Sequence, residues 1–354
     1  MNQRSCRVCI LGGGPAALMA EAMLRKKGVE TCIVAESILG NLMPIHIGGV
    51  RVAPIPIFVS QGTYLFRQMA RNPLADSDFV TTNFSPLSNC DETDEIMSGS
   101  YAEFMMQKYP DAGRRLTITK KHVGPIAFQQ DLPELRRKVQ AHYPPGHTPT
   151  RREGFSDGVS PYLRYLECMP STVTIREKVL AVDIEKRCVN TNSHRVKCDR
   201  IISTLPLLDF LALANIKTSL TIVGGGAQIL VASTSNWSGR NQLIYDCDGR
   251  SPVHRVFTPR EGFVIAQIAR AHWGIDDLAV TTRMQSLCDF ADRPTVVGRI
   301  TAQNVYPLAS SNFELKNEII RDMEHAGVTI FGRLAQWEYL DLEDLNWERI
   351  ECLS

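Results

Sequence analysis

Apolar residues fall in two kinds of pattern along this chain. Near the N-terminus the run Val8-Cys9-Ile10-Leu11 is unbroken, as in a strand covered on both faces. An alanine-rich stretch with helical spacing follows it, and a second unbroken run, Thr31-Cys32-Ile33-Val34-Ala35, comes after that. Further apolar runs at 173–175, 179–184 and 200–206 predict strands that return late to the opening sheet. Between 217 and 302 the pattern changes to short extended pieces at 219–223, 228–232, 242–245, 254–258 and 262–268. These predict an antiparallel layer. Close to the C-terminus Leu315, Ile319, Ile320 and Met323 recur at helical spacing, after a cap at Ser311 or Asn312 and before a stop at Gly327. A strand over 328–331 follows, and Asp341 stands where it can cap a last helix extending toward Ile350. In the middle of the chain, 76–97 is polar and reads as loop, whereas 100–109 and 131–142 read as helical.

The turn between the first strand and the first helix carries the chemistry. It reads Gly12-Gly13-Gly14-Pro15-Ala16-Ala17. Gly12 permits a sharp exit from the strand, Gly14 removes the side chain that would block a pyrophosphate, and Ala17 lets helix and strand approach closely. Phosphates would then meet free N–H groups at the helix N-terminus. Glu36, at the end of the second apolar run, is positioned to accept hydrogen bonds from ribose hydroxyls. A dinucleotide site is expected. The completing strands come long after the first pair rather than directly behind it, and an interrupted domain of that sort is characteristic of flavoproteins that bind FAD. Gly224-Gly225-Gly226 is not a second nucleotide loop, because a strand and not a helix follows it.

Composition narrows the partners. In 354 residues, 39 Lys and Arg balance 38 Asp and Glu, so no global field points to nucleic acid or a membrane. A basic bias is confined to 114–152, where nine Lys or Arg face Asp131 and Glu134; it suits an anionic substrate as well as a solvated face. No signal peptide or membrane span is read, and the ten cysteines, scattered through apolar patterns, suit reduced thiols in a cytoplasm. Cys6-Arg7-Val8-Cys9 has redox spacing, but on a regular strand residues three apart point to opposite faces, so it reads as packing. No metal-ligand spacing occurs.

The segment Gly332-Arg333-Leu334-Ala335-Gln336-Trp337-Glu338-Tyr339-Leu340-Asp341 resembles the closing motif of UDP-galactopyranose mutases, within the wider superfamily of FAD-dependent amine oxidases. The resemblance implies a flavin contact for Arg333, a substrate-diphosphate contact for Tyr339 and a place beside the flavin for Asp341, with Gly332 opening the motif. Ser251-Pro252-Val253-His254-Arg255-Val256 is similar to another family segment and makes Arg255 a diphosphate ligand. Val297-Gly298-Arg299 with Val305-Tyr306-Pro307 does the same for Arg299 and Tyr306. Such enzymes act on a nucleotide-diphosphate sugar, with the flavin N5 as a covalent nucleophile.

The sequence also departs from that family. Pro56-Ile57-Phe58 lacks the histidine expected before Ile-Phe, the Gly-Gly after the ribose-binding acid shrinks to Leu39-Gly40-Asn41, and the lobe that would stack the base has no clear counterparts. Substrate identity is therefore not carried over, and an amine oxidase type of oxidoreductase that takes hydride from a small substrate stands as the alternative. The expected architecture is α/β. It comprises an interrupted Rossmann-like FAD-binding domain (1–70, 150–212 and 325–354), a small helical lobe (71–149) and an antiparallel substrate domain (213–324). Expected partners are a small anionic substrate and a reductant such as NADPH, with a homodimer left open.

Overall fold

The computed structural model describes residues 1–38, 45–47, 50–52, 58–59, 79–86, 151–155, 173–235, 242–245, 251–260, 262–269, 272–288, 290–310, 312–338, 340 and 345–353. The chain divides into two discontinuous compact units, one of Met1–Met43, Leu163–Val223 and Ala309–Ser354, the other of Pro44–Tyr162 and Gly224–Leu308.

In the first unit, β1 (Asn2–Leu11), α1 (Pro15–Lys26) and β2 (Thr31–Val34) form the opening strand–helix–strand. β8 (Val173–Ile175), β11 (His194–Ser203) and β17 (Val328–Ile330) complete a parallel sheet. The spatial order is β8-β2-β1-β11-β17, so the third, second, first, fourth and fifth parallel strands lie side by side and the order reverses between β1 and β11. That is the doubly wound topology, with its crevice at the reversal. A hairpin of β9 (Ala181–Asp183) and β10 (Cys188–Asn190) pairs antiparallel with the lower half of β11.

Burial follows from this order. Val8 to Leu11 of β1 are buried because β2 and β11 flank them, whereas Asn2 to Ser5 extend beyond β2 and are exposed. α1 starts with Pro15 at its first position, where the missing N–H costs nothing, and ends with Arg25 and Lys26, which suit a helix C-terminus. One core cluster joins Leu11, Val34 and Ile201 to Phe210 and Leu211 of α2 (Leu207–Leu213). Leu315, Ile319, Ile320 and Met323 of α4 (Phe313–His325) pack against it. Phe210 is fully buried and contributes about 2–3 kcal/mol. Asn312 is the cap of α4, its side-chain oxygen accepting from Leu315 N at 2.9 Å, and Gly327 ends the helix at φ +83°.

Three expectations change in this unit. Arg7 N and Val8 N both donate to Glu30 O, the signature of a β-bulge. The bulge spoils the alternation, so Cys6 and Cys9 fall in the same core cluster with Cys32 and Cys198, not on opposite faces. The Cys6 thiol hydrogen-bonds to those of Cys32 and Cys9; the bond with Cys198 and burial push Cys9 well up. The last helix does not run from Asp341: 345–347 are not helical, and α6 (Glu348–Glu351) begins only after Trp347. Trp347 is buried edge-on against Phe331, ring centroids 5.0 Å apart, and this packing fixes the chain ahead of the helix. β11 also begins six residues before the apolar run that announced it, because its lower half alternates between buried and exposed positions.

The second unit is an eight-stranded sheet in the order β16-β12-β15-β14-β13-β6-β7-β5 beside a small hairpin of β3 (Ile45–Ile47) and β4 (Val50–Val52). Its strands are β5 (Phe58–Val59), β6 (Phe79–Pro86), β7 (Arg151–Phe155) and β12 (Ile222–Ser233), then β13 (Gln242–Tyr245), β14 (Val253–Arg260), β15 (Phe263–Ile268) and β16 (Thr295–Ser310). The loop expected over 76–97 is thus partly strand: β6 pairs with β7 and with β13, and that pairing overrides a polar local composition. The β6–β13 pair is parallel, an exception in the expected antiparallel layer. Gly224, Gly225 and Gly226 lie within β12, as their strand context required. The helix α3 (Asp277–Cys288) was not expected; its Val280, Met284 and Leu287 close a core over Val256, Val264 and Ala266. The helical readings at 100–109 and 131–142 lie outside the described residues.

Candidate functional site

The crevice of the first unit is made at the carboxyl ends of four strands. Gly12 leaves β1 at φ +100°, a conformation that strains any residue with a Cβ, and its N–H donates to Val34 O at 2.9 Å. A Cβ on Gly12 would stand 2.4 Å from the Thr204 hydroxyl. Thr204, just beyond β11, turns both its N–H and its hydroxyl onto Leu11 O, each at 2.9 Å, and so ties the two strand ends together. A Cβ on Gly13 would lie 2.1 Å from Ser37 O, in the turn after β2. Gly332 follows β17 at φ +107°, and a Cβ there would come 3.2 Å from that of Ala16. Every turn around the crevice is therefore drawn in to backbone distance.

Gly14 is different. A Cβ added there would meet no atom of the described residues within 4 Å, so among them the space above it is open. Gly14 is also the N-cap of α1, no side chain caps that helix, and no acidic residue lies in its first turn. The helix therefore presents its N–H groups and dipole to the opening without competition from the protein. Ala17 is fully buried under the turn, and Glu36 is exposed beyond the end of β2. Gly12, Gly14, Ala17 and Gly332 are thus gathered at one crevice. Ser37 and Thr204 belong to it as well and were missed; the only signal was a hydroxyl or backbone turn directly after an apolar run.

The closing segment is braced from within its own unit. Arg333, in α5 (Arg333–Gln336), donates from Nε to Leu340 O. Gly332 N donates to the Gln336 side chain at 3.2 Å. Trp337 is buried in the left-handed region at φ +48°, and its carbonyl accepts from Lys316 Nζ at 3.4 Å. Lys316 is fully buried, 3.6 Å from Glu338 Oε1 and 4.8 Å over the Phe313 ring. Sequence reasoning passed over it, although it shares the helix stripe with Leu315, Ile319 and Ile320. Tyr339 and Asp341 lie outside the described residues.

In the second unit, Arg255 donates from Nε to Gln267 Oε1 at 2.7 Å across the β14–β15 pair. Arg299 on β16 is committed to its surroundings: Nη1 donates to Gln228 Oε1 at 3.0 Å, and Nη2 donates to Ile275 O at 2.8 Å and to Asp277. Gln228 Oε1 also accepts from Gly274 N at 3.1 Å. The network pins the start of α3 onto the sheet. β12 and β15 lie between β16 and β14, which sets the two arginine strands about 14 Å apart. Tyr306 lies on β16, and its side chain is outside the described residues.

No family model and no curated protein matches the sequence. Solved structures do match in fold. Reduced UDP-galactopyranose mutase is similar with a TM-score of 0.64 at 12% identity, over 94% of this chain and 89% of that one. A candidate protoporphyrinogen oxidase from Exiguobacterium sp. 255-15 gives 0.64 at 12% identity, over 98% of each chain. A putrescine oxidase variant gives 0.59 at 13% identity, over 99% of each. The chain has the fold these proteins share.

Proposed function

We propose that the chain is an FAD-dependent enzyme. The observation that carries this is the glycine crevice: three turns packed so closely that a Cβ would collide or crowd, around one glycine that opens on free space at an uncapped helix N-terminus. That combination suits a pyrophosphate lying against backbone. The fold likeness to a mutase and to oxidases supports FAD as the dinucleotide. In this reading Gly12, Gly14, Ala17 and Gly332 shape the seat, Glu36 takes the ribose hydroxyls, and Arg333 and Asp341 stand near the isoalloxazine ring. Bound there, FAD supplies either hydride acceptance or a nucleophilic N5.

Two substrate readings follow. In the mutase-like reading Arg255, Arg299, Tyr306 and Tyr339 clamp the diphosphate of a nucleotide sugar. The commitment of Arg299 to Gln228, Ile275 O and Asp277 favours the other, an oxidoreductase of amine oxidase type that takes hydride from a small substrate, since a clamp needs a free guanidinium fork. The spectrum of the purified protein tests the cofactor: bound, extractable FAD is expected, and a colourless protein that cannot be reconstituted defeats the reading. Oxygen-linked turnover of an amine supports the oxidoreductase. A flavin adduct trapped after incubating the reduced enzyme with UDP-galactose supports the mutase instead.

A further inference from the structure

At the level of the β1 bulge, about 15 Å down the strands from the glycine turn, the first unit holds a cavity of about 360 Å³. Arg7, Arg187 and Arg200 line it, with His325 and Gly327 at the end of α4. Two local irregularities serve these arginines. The bulge that gives Arg7 N and Val8 N the same acceptor re-aims the strand at Arg7. Arg187 occupies the left-handed region at φ +49°, which is uncommon for a residue with a long side chain. Its guanidinium lies against Gly327, where a Cβ would come 3.7 Å from Nε.

The Arg7, Arg187 and Arg200 side chains make no hydrogen bond or ion pair among the described residues. Two acids, Asp199 and Glu324, share the lining, and Glu324 is already held by Arg349. A second cavity of about 570 Å³ adjoins the first, sharing Arg187 and Asp199, and adds Arg4, Arg195, Lys197 and Lys186, the last paired with Asp183, against one further acid, Glu185. Positive charge therefore exceeds negative across both. We propose that this cavity is an anion site for a small phosphorylated metabolite of diphosphate type, held by Arg7, Arg187 and Arg200. Guanidinium forks match phosphate oxygens two at a time, and three forks around one opening exceed what a single carboxylate uses. The smaller depression is open to solvent and large enough for a diphosphate. The site is separate from the proposed FAD seat and does not depend on it.

Calorimetric titration of the full chain with inorganic pyrophosphate tests this, run with and without saturating FAD. Saturable binding is expected in both cases. Arg7→Ala and Arg200→Ala each weaken it about tenfold or more, Arg200→Lys weakens it less, and Arg176→Ala, outside both cavities, leaves it unchanged. Parallel titrations with phosphate and with ADP distinguish a free anion from a nucleotide as the natural source. Three results overturn the site: no saturable binding at millimolar pyrophosphate, binding indifferent to both alanine substitutions, or binding abolished by FAD, which would move the anion to the glycine turn. Thermal melts of each variant confirm folding, and Arg7 and Arg200 are exposed enough to replace.

Discussion

The two units treat their polar positions in opposite ways. Around the first unit's crevice the chain omits side chains, so that turns after β1, β2, β11 and β17 meet at backbone distance and leave one opening over Gly14. Around Arg299 in the second unit the chain supplies a side chain and then consumes it, through Gln228, Ile275 O and Asp277. A space left by glycine is available to a ligand when, as over Gly14, no described residue fills it. An arginine is available only if no partner has reached it first.

Substitution can break this contrast in order of effect. Gly13→Ala sets a methyl 2.1 Å from Ser37 O, and Gly12→Ala adds left-handed strain to its clash with Thr204; each is expected to cost about 3 kcal/mol or more in urea unfolding. Gly14→Ala at the same turn is expected to stay within about 0.5 kcal/mol while FAD affinity falls at least tenfold, since its methyl meets only open space. Equal destabilisation by Gly13→Ala and Gly14→Ala would refute the distinction. Arg299→Ala is expected to lower stability by about 2 kcal/mol, with coupling to Asp277 in a double-mutant cycle. If stability holds and substrate binding is lost instead, Arg299 belongs to the clamp after all. Lys316→Met removes the charge facing the partly exposed Glu338 and is expected to cost about 1–2 kcal/mol and speed proteolysis of the closing segment.

The smallest expected effect is at Glu177. The hydroxyl of Ser193, with Thr191, holds the Glu177 carboxyl down at about 2. A carboxylate whose folded pKa lies below its unfolded value of about 4.5 stabilises fully above that value and loses the contribution as pH falls toward 2. Glu177→Gln should therefore lower stability slightly at neutral pH, flatten the acid limb between about pH 4.5 and 2, and converge with wild type near pH 2. An unchanged acid limb would remove Glu177 from the account.

The glycine turn and the parallel sheet were legible because their signals are local. An unbroken apolar run, two glycines with no room for Cβ atoms, and the cap and stop of α4 at Asn312 and Gly327 all act within a few residues. The commitment of Arg299 was not legible, because Gln228 and Asp277 lie far from it in sequence and only sheet order brings them near. The strand at 79–86 was hidden for the same reason: its stability comes from β7 and β13, not from its own composition. Cys6 and Cys9 are packing residues as read, but on one face rather than two, because one bulge shifts the period of two, and no residue type announces a bulge.

The pairing of β1 has a consequence for biosynthesis. Its first partner, β2, comes at once, but its other edge waits for β11, whose His194 faces Asn2, and β11 in turn waits for Val328 of β17. The central strand of the first unit therefore leaves the ribosome with one backbone edge unpaired until residues 194–203 have followed, and β11 in turn keeps an edge open until 328–330. Closure over such separations is slow and exposes the nascent chain to mispairing. A cofactor that engages the Gly12 turn only after Thr204 and Gly332 have arrived would favour a chain that includes β17 and Gly332 over one cut short before them.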